Sequence, residues 1–170
     1  MDLKEYIRVI PDFPSPGIRF KDVTTLLQNG PALREAVEKL ANFAAQQGAE
    51  IVVGPEARGF LFGSPVAFKL GVGFVPIRKP GKLPGETLEL KYDLEYGSDS
   101  LQIHRDGISP GQRVVIIDDL LATGGTILTT IKLVEELGAK VVGIGFLIEL
   151  TYLTGREKLS GYEVVSLVQY

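Results

Sequence analysis

Val114 to Thr126 reads VVIIDDLLATGGT. The run Val114 to Ile117 is wholly β-branched and predicts a central strand buried on both faces. Two carboxylates, Asp118 and Asp119, follow at once, and then a turn of Ala122, Thr123, Gly124, Gly125 and Thr126. Thr126 to Leu137 carries Ile127, Ile131, Val134 and Leu137 at helical spacing and ends at Gly138. A helix start presents unbonded N–H groups and the positive end of the helix dipole. Glycines let that backbone approach an anion closely, and the hydroxyls of Thr123 and Thr126 add donors. The unit therefore reads as a phosphate cradle. The acidic pair would repel a phosphate, so it suits sugar hydroxyls or a divalent cation. Taken alone, the segment asks for a ligand with both a phosphate and a diol, which is a ribose 5-phosphate. A capped βα turn on the surface is the plainer reading for one Asp and one Gly. Two of each with two threonines, in this order, favour the ligand.

Other phosphate motifs fit less well. The chain has no G-x-x-x-x-G-K-[ST]. Gly71-Val72-Gly73 lacks a third glycine at the required spacing, and Gly143 and Gly145 lie inside a strand pattern, so neither makes a dinucleotide fingerprint.

Outward from this segment, strand and helix patterns alternate. Pro31 to Gln47 predicts a helix with a stripe of Leu33, Ala36, Val37, Leu40, Phe43 and Ala44, and Gly48 suits its stop. Ile51 to Val53 reads as a short buried strand, Phe60 to Leu70 as a helix that Pro65 bends or begins, and Gly73 to Ile77 as another apolar run. Val141 to Leu150 and Val164 to Val168 are further strands. The alternation predicts one α/β domain over residues 1–170, with a mostly parallel central sheet and helices on both faces. Ligands of such sheets sit beyond the carboxyl ends of the strands, where Asp118 and Asp119 fall. Leu88 to Tyr92 and Leu101 to His104 alternate loosely, like a two-stranded ribbon. With the Pro/Gly-rich Lys79 to Gly85 they make residues 79–104 a mobile flap, rich in charge and poor in core-forming residues.

The 170 residues include no cysteine and one histidine, with a net charge of −3. Thiolate chemistry and disulfides are thereby excluded, and a zinc site lacks ligands. The acidic balance argues against a broad nucleic-acid surface. MDLKEYIRVIPDF has no basic stretch leading into a long apolar run, and no segment approaches the roughly 20 apolar residues of a membrane span. A cytoplasmic location is the expectation.

Three further groups are candidates for chemistry. Arg58 follows the strand ending near Gly54 and sits at the mouth of the sheet. It is either a bidentate diphosphate ligand or a surface arginine at a helix start. Arg78, Lys79 and Lys82 place three cations within five residues, to close over a diphosphate or simply to be solvated. Gly17 to Lys21 follows two prolines, and Phe20 could stack on a purine or merely cover the core. His104, at a ribbon end, is structural.

The cradle resembles the phosphoribosyl pyrophosphate loop of the type I phosphoribosyltransferases, and DDLLATGGT resembles the adenine phosphoribosyltransferases in particular. DFPSPGIRFKDVTTLL (12–27), PEARGFLFGSPVAFKLGVGFVPIRKPGKLPG (55–85), DLEYG (93–97) and LIELTYLTGREKL (147–159) are similar to the same family, so the resemblance covers nearly the whole chain. It implies the type I phosphoribosyltransferase fold, with an N-terminal hood over residues 1–30. It implies a transferase of purine salvage that makes AMP and pyrophosphate from adenine and 5-phosphoribosyl 1-diphosphate. Asp118, Asp119 and Ala122 to Thr126 would hold the ribose 5-phosphate. Arg58, Arg78, Lys79 and Lys82 would hold the pyrophosphate. Arg19, Phe20, Lys21 and Arg58 would line the adenine site, partly through the backbone of residues 19 and 21. Arg19 stands where the family often has an apolar residue, and Lys21 where some relatives have arginine. Glu95, otherwise a solvated hairpin glutamate, would assist at the base as the catalytic residue. The resemblance further implies a cis peptide near Arg58 and a homodimer. Mg²⁺ would arrive on the donor's phosphates, without a protein cage of its own. The nearest rival is an enzyme of the same fold for another base. A non-catalytic regulator sensing the same donor and binding DNA or RNA would carry an additional basic module or surface, which this acidic chain does not offer. A phosphate-binding structural subunit would not need Glu95 or a cationic flap.

Overall fold

The computed structural model describes residues 1–94 and 96–170. Its centre is a five-stranded sheet in the order β4-β3-β7-β8-β9, every neighbouring pair parallel. The strands are β3 (Ile51–Pro55), β4 (Gly73–Ile77), β7 (Arg113–Leu121), β8 (Lys140–Glu149) and β9 (Val164–Gln169). Side chains alternate across it. Val114 and Ile116 join one core with Val53 and Ile144, while Val115 and Ile117 join another with Val52 and Leu147. Burial on both faces is why these strands read as unbroken apolar runs. Each fully buried Val, Ile or Leu contributes about 1.5–3 kcal/mol.

Helices α2 (Gly30–Gln46) and α3 (Arg58–Leu70) cover the second core. The side chain of Asn29 caps α2 by accepting from the Ala32 amide at 3.0 Å, and Pro31 occupies its first turn. Ala32, Ala36, Leu40 and Ala44 face inward at four-residue spacing. α3 begins at Arg58, two residues before the sequence pattern does, and Pro65 lies within it. Gly59 and Gly63 draw this helix onto the sheet. A Cβ at Gly59 would lie 2.8 Å from Asp118 Oδ1, and one at Gly63 would lie 2.7 Å from the Phe74 ring.

The other face is covered by α4 (Gly125–Glu136) and by the antiparallel ribbon of β5 (Thr87–Asp93) and β6 (Ser98–His104). Here the structure departs from the expected flap. The ribbon arms are longer than the pattern suggests, and Leu101 and Ile103 are fully part of the core, with Leu88, Leu90 and Tyr92 packed against it. Residues 101 and 103 share one side of a pleated strand, so two inward side chains anchor an arm that is otherwise polar. Arg78 and Gln102 also exchange backbone hydrogen bonds at 3.0 and 2.7 Å, tying the ribbon to the edge beyond β4.

The N-terminal segment has structure that periodicity did not reveal. β1 (Arg8–Ile10) pairs antiparallel with β2 (Phe20–Asp22), followed by the single turn α1 (Thr24–Leu27). Asp22 locks this arrangement. It accepts from Arg8 Nε and Nη2 at 3.1 and 2.6 Å, and from the Thr24 amide and hydroxyl at 2.9 and 2.7 Å. These bonds hold its carboxyl at about 2, the Arg8 hydrogen bond being the largest cause.

Candidate active site

From β3 the chain runs outward to β4, whereas β7 lies on the other side of β3 and leads to β8. The order reverses between β3 and β7, and a crevice opens at their carboxyl ends. A cavity of about 370 Å³ fills it, lined by Glu56 to Arg58 from the end of β3 and Asp118 to Thr126 from the end of β7. The acidic pair lies inside β7, not just past it. Pairing with the long strand β8 continues through Leu120↔Ile148 and Leu121↔Glu149, so backbone hydrogen bonds extend the strand beyond its apolar run.

Asp119 is buried and accepts from Arg58 Nε at 2.6 Å. Asp118 Oδ1 accepts from the Asp119 amide at 2.8 Å. Loss of hydration, then the charge of Asp119, push the Asp118 carboxyl well above the usual carboxylate range. The peptide Glu56–Ala57, on the opposite wall, is cis.

The far wall is the turn into α4. Gly124 has φ +91°, a left-handed conformation that suits glycine. The helix's first bond runs from the Leu128 amide to the Gly124 carbonyl, at 2.9 Å. The amides of Gly125, Thr126 and Ile127 precede that ladder and have no carbonyl within it. Behind the turn lies Gly155, where a Cβ would come 2.3 Å from the Ala122 carbonyl oxygen, and the Gly155 oxygen lies 3.1 Å from the Cβ position of Gly124. Glycines at 124 and 155 thus let two backbones meet without side chains between them.

A second, more apolar cavity of about 720 Å³ adjoins the first and is lined by Gly17 to Lys21, Arg58, Leu120, Leu150, Tyr152, Leu153 and Tyr170. The rings of Phe20 and Phe13 meet edge to face at 5.2 Å, and the Arg58 guanidinium lies 5.6 Å from the centre of Phe20. Lys21 turns its ammonium to the Arg19 carbonyl at 3.0 Å and over the Tyr170 ring at 4.6 Å. Burial, then Arg19 and Lys4, lower its pKa. Arg58 lines both cavities.

Most of the sequence-derived site residues therefore come together. Asp118, Asp119, Ala122 to Thr126 and Arg58 share one cavity, while Arg19, Phe20, Lys21 and Arg58 share the other. Arg78, Lys79 and Lys82 line neither. Arg78 and the Lys79 amide approach the first cavity only through Glu56, whose Oε1 accepts from them at 3.2 and 2.8 Å, and the Lys79 ammonium lies 3.3 Å from Asp99. Lys82 is exposed and forms no ion pair among the described residues. Glu95 lies outside the described residues. His104 Nε2 sits 2.8 Å from the Pro84 carbonyl oxygen at the base of the ribbon and lines neither cavity. Sequence reasoning assigned no role to Glu56, Gly59 or Gly155, nor to Leu150, Tyr152 and Tyr170. None of these stands in a pattern that signals a site by itself.

The family model for the phosphoribosyl transferase domain matches residues 23–167. The adenine phosphoribosyltransferase of Brevibacillus brevis is 62% identical over all 170 residues, covering 100% of both chains. The crystal structure of adenine phosphoribosyltransferase from Thermoanaerobacter pseudethanolicus superposes with a TM-score of 0.95 at 57% identity, covering 99% of this chain and 98% of that one. The Saccharomyces cerevisiae enzyme, complexed with an imino-altritol bisphosphate and adenine, superposes with a TM-score of 0.92 at 40% identity, covering 97% and 96%.

Proposed function

The chain belongs to the phosphoribosyltransferase family, among its adenine phosphoribosyltransferases, and from that premise we propose how its two adjoining cavities divide one reaction. The 5-phosphoribosyl group passes from 5-phosphoribosyl 1-diphosphate to adenine, giving AMP and pyrophosphate in purine salvage. Arg58 carries the reading: it lines both the polar cavity and the apolar one, so a ligand in each would meet at that side chain.

The amides and hydroxyls of Ala122 to Thr126 bind the 5-phosphate. Asp118 and Asp119 accept hydrogen bonds from the ribose hydroxyls, an acceptor role Asp118 can fill with or without its proton. Adenine stacks on Phe20, with the backbone of residues 19 and 21 at its edge. As the bond from C1 to the pyrophosphate oxygen breaks, positive charge grows at C1, and a base nitrogen forms the new bond. Arg58 meets the leaving pyrophosphate directly. Arg78 and Lys79, tied near the cavity through Glu56, and Lys82 on the same loop add positive charge near the leaving pyrophosphate, and closure of the ribbon tip excludes water. Glu95 takes up the proton problem at the base.

Among the described residues no three His or acidic groups could cage a metal, and Asp119 is already committed to Arg58. That donor set fits Mg²⁺ entering on the donor's phosphates and sharing the carboxylates at most as outer contacts. When bound there, it would supply charge neutralisation of the pyrophosphate. The outward side of α3 leaves Leu61 and Phe68 exposed, 45% and 90%, seven residues apart on one helix face. That face supports a homodimer. Among the described residues no helix is long and apolar enough to cross a membrane, and the cytoplasm is the proposed location.

The test supplies protein, 5-phosphoribosyl 1-diphosphate and Mg²⁺ with adenine, hypoxanthine, guanine, uracil or xanthine in turn. AMP and pyrophosphate form with adenine. No product with adenine refutes the reading, and equal turnover of another base refutes the assignment of the base pocket.

A further inference from the structure

The two cavities must also be held at a fixed spacing, and the residues that line them do not account for it. At the carboxyl end of β8 stands Glu149, only 4% exposed. Leu150, Tyr152 and Leu153 wall the apolar cavity, while Gly155 backs the phosphate turn against Ala122 and Gly124. Between these, the Glu149 carboxylate is fully engaged. It accepts from Arg156 Nη2 at 2.6 Å and Nε at 3.1 Å, from Ser166 Oγ at 2.7 Å and from Gln169 Nε2 at 3.3 Å. Arg156 Nη1 donates to the Val164 carbonyl at 3.2 Å. Gln169 precedes Tyr170, another wall of the apolar cavity, whose amide donates to the Glu149 carbonyl at 3.0 Å. One buried carboxylate thus joins the segment behind the phosphate turn, through Arg156, to the strand end beside the base cavity, through Ser166 and Gln169.

We propose that Glu149 and Arg156 are positioning residues that set the spacing between the phosphate cradle and the base pocket. Neither lines either cavity. The pair is suited to this task because a forked guanidinium on a carboxylate fixes direction as well as distance. The Arg156 hydrogen bond is also the chief reason that the Glu149 carboxyl titrates below its ordinary value, so the pair is charged at neutral pH. If spacing is the role, its loss has a signature that a general loosening lacks. Ribose 5-phosphate reports on the cradle alone and adenine on the base pocket alone. AMP spans both, and only AMP gains from having the two at the right distance.

The inference rests on the proposed assignment of the two cavities, and the experiment separates the two. Calorimetric titration of the wild-type protein, Glu149→Gln and Arg156→Lys with each of the three ligands is the measurement, with far-UV circular dichroism confirming that each variant is folded. The wild type binds AMP. In the variants the AMP dissociation constant rises about tenfold, while those of ribose 5-phosphate and adenine change less than twofold. Arg156→Lys keeps the charge but not the fork, so a loss in that variant assigns the effect to geometry. Unchanged AMP binding in both folded variants, or equal weakening of all three ligands, overturns the proposal. Wild-type protein that fails to bind AMP overturns the assignment of the cavities and the proposal with it. Should Glu149→Gln not fold, Arg156→Lys and Ser166→Ala decide by the same criterion, since each changes one of the carboxylate's three partners and keeps the other two residues in place.

Discussion

Gly155→Ala isolates the packing of two backbones as the thing that shapes the phosphate cradle. Gly155 is buried and its φ is not in the left-handed region, so alanine suits its backbone and only the added methyl is at issue. That methyl would lie 2.3 Å from the Ala122 carbonyl oxygen, whereas Cβ contacts under 3.0 Å are essentially never seen. The two backbones must part by at least about 0.7 Å. The atom to be moved belongs to the first residue of the cradle. Displacement of about 1 Å at a substrate-positioning group costs on the order of 10²-fold in rate. Overpacking a filled site costs roughly 1–3 kcal/mol, which for a domain of this size lowers Tm by about 2–12 °C. Expected, then, is a fall of about 10²-fold in kcat/KM for 5-phosphoribosyl 1-diphosphate. Adenine binding measured by calorimetry should stay nearly unchanged. Gly30→Ala is the control, since nothing lies within 4 Å of its Cβ position. Steady-state kinetics at a temperature well below either transition provide the assay. Wild-type kcat/KM in a folded Gly155→Ala protein would show that the contact does not shape the cradle.

The other expectations concern charge. Asp118→Asn should lower donor kcat/KM about tenfold or more, because its amide nitrogen cannot accept from a ribose hydroxyl as a carboxyl oxygen does, and yet raise Tm. The folded pKa of Asp118 lies above its ordinary value, so the stability this group contributes is full below that value and shrinks as pH rises toward the raised one. The Tm advantage of the variant should therefore be larger near pH 7.5 than near pH 4.5, and an advantage that shrinks with pH contradicts the assignment. Asp22 has the opposite sign: its stabilisation is present above the ordinary carboxylate value and is lost as pH falls through about 2. Asp22→Asn should hence be less stable than wild type at about pH 6, and the two melting temperatures should converge on acidification toward pH 2. Glu95→Gln should reduce kcat by about 10²-fold or more while leaving the donor KM within a fewfold of wild type. The reverse pattern removes Glu95 from the catalytic role.

The phosphate cradle was legible because its chemistry is contiguous. Strand, acidic pair, glycines and hydroxyls follow one another within thirteen residues, and the stretch from Asp118 to Thr126 lines one cavity. The two-sided burial of Val114 to Ile117 likewise leaves a continuous apolar run. The base pocket has no such signature. Phe20, Arg58, Leu120, Leu150, Tyr152 and Tyr170 converge only after the sheet is assembled, and of these the residues alone singled out Arg58 and Phe20. Gly155 is equally silent, because its significance is a distance to Ala122 across more than thirty residues. The ribbon misleads for another reason. Leu101 and Ile103 alternate with Gln102 and His104, a strand pattern of only four residues set among charges, which reads as poor in core-forming residues although its inward side is buried. Helix α3 begins two residues early because Arg58 and Gly59 carry no apolar stripe of their own, although Gly59 packs directly against Asp118.

That inward side of the ribbon also determines how it can move. With Leu101 and Ile103 held in the core, a rigid swing from residues 79–86 would tear open the packing beneath α4. A closing motion that leaves the core intact must pivot at Leu101 and its partner Leu90, beyond which three further residue pairs reach Asp93 and Ser98. At about 3.3 Å per residue, that is a lever some 10 Å long. Its radius limits which ligand atoms the ribbon tip can touch, and Tyr92, whose ring lies 3.9 Å from the Cβ position of Gly125, marks where that arc already begins against the cradle.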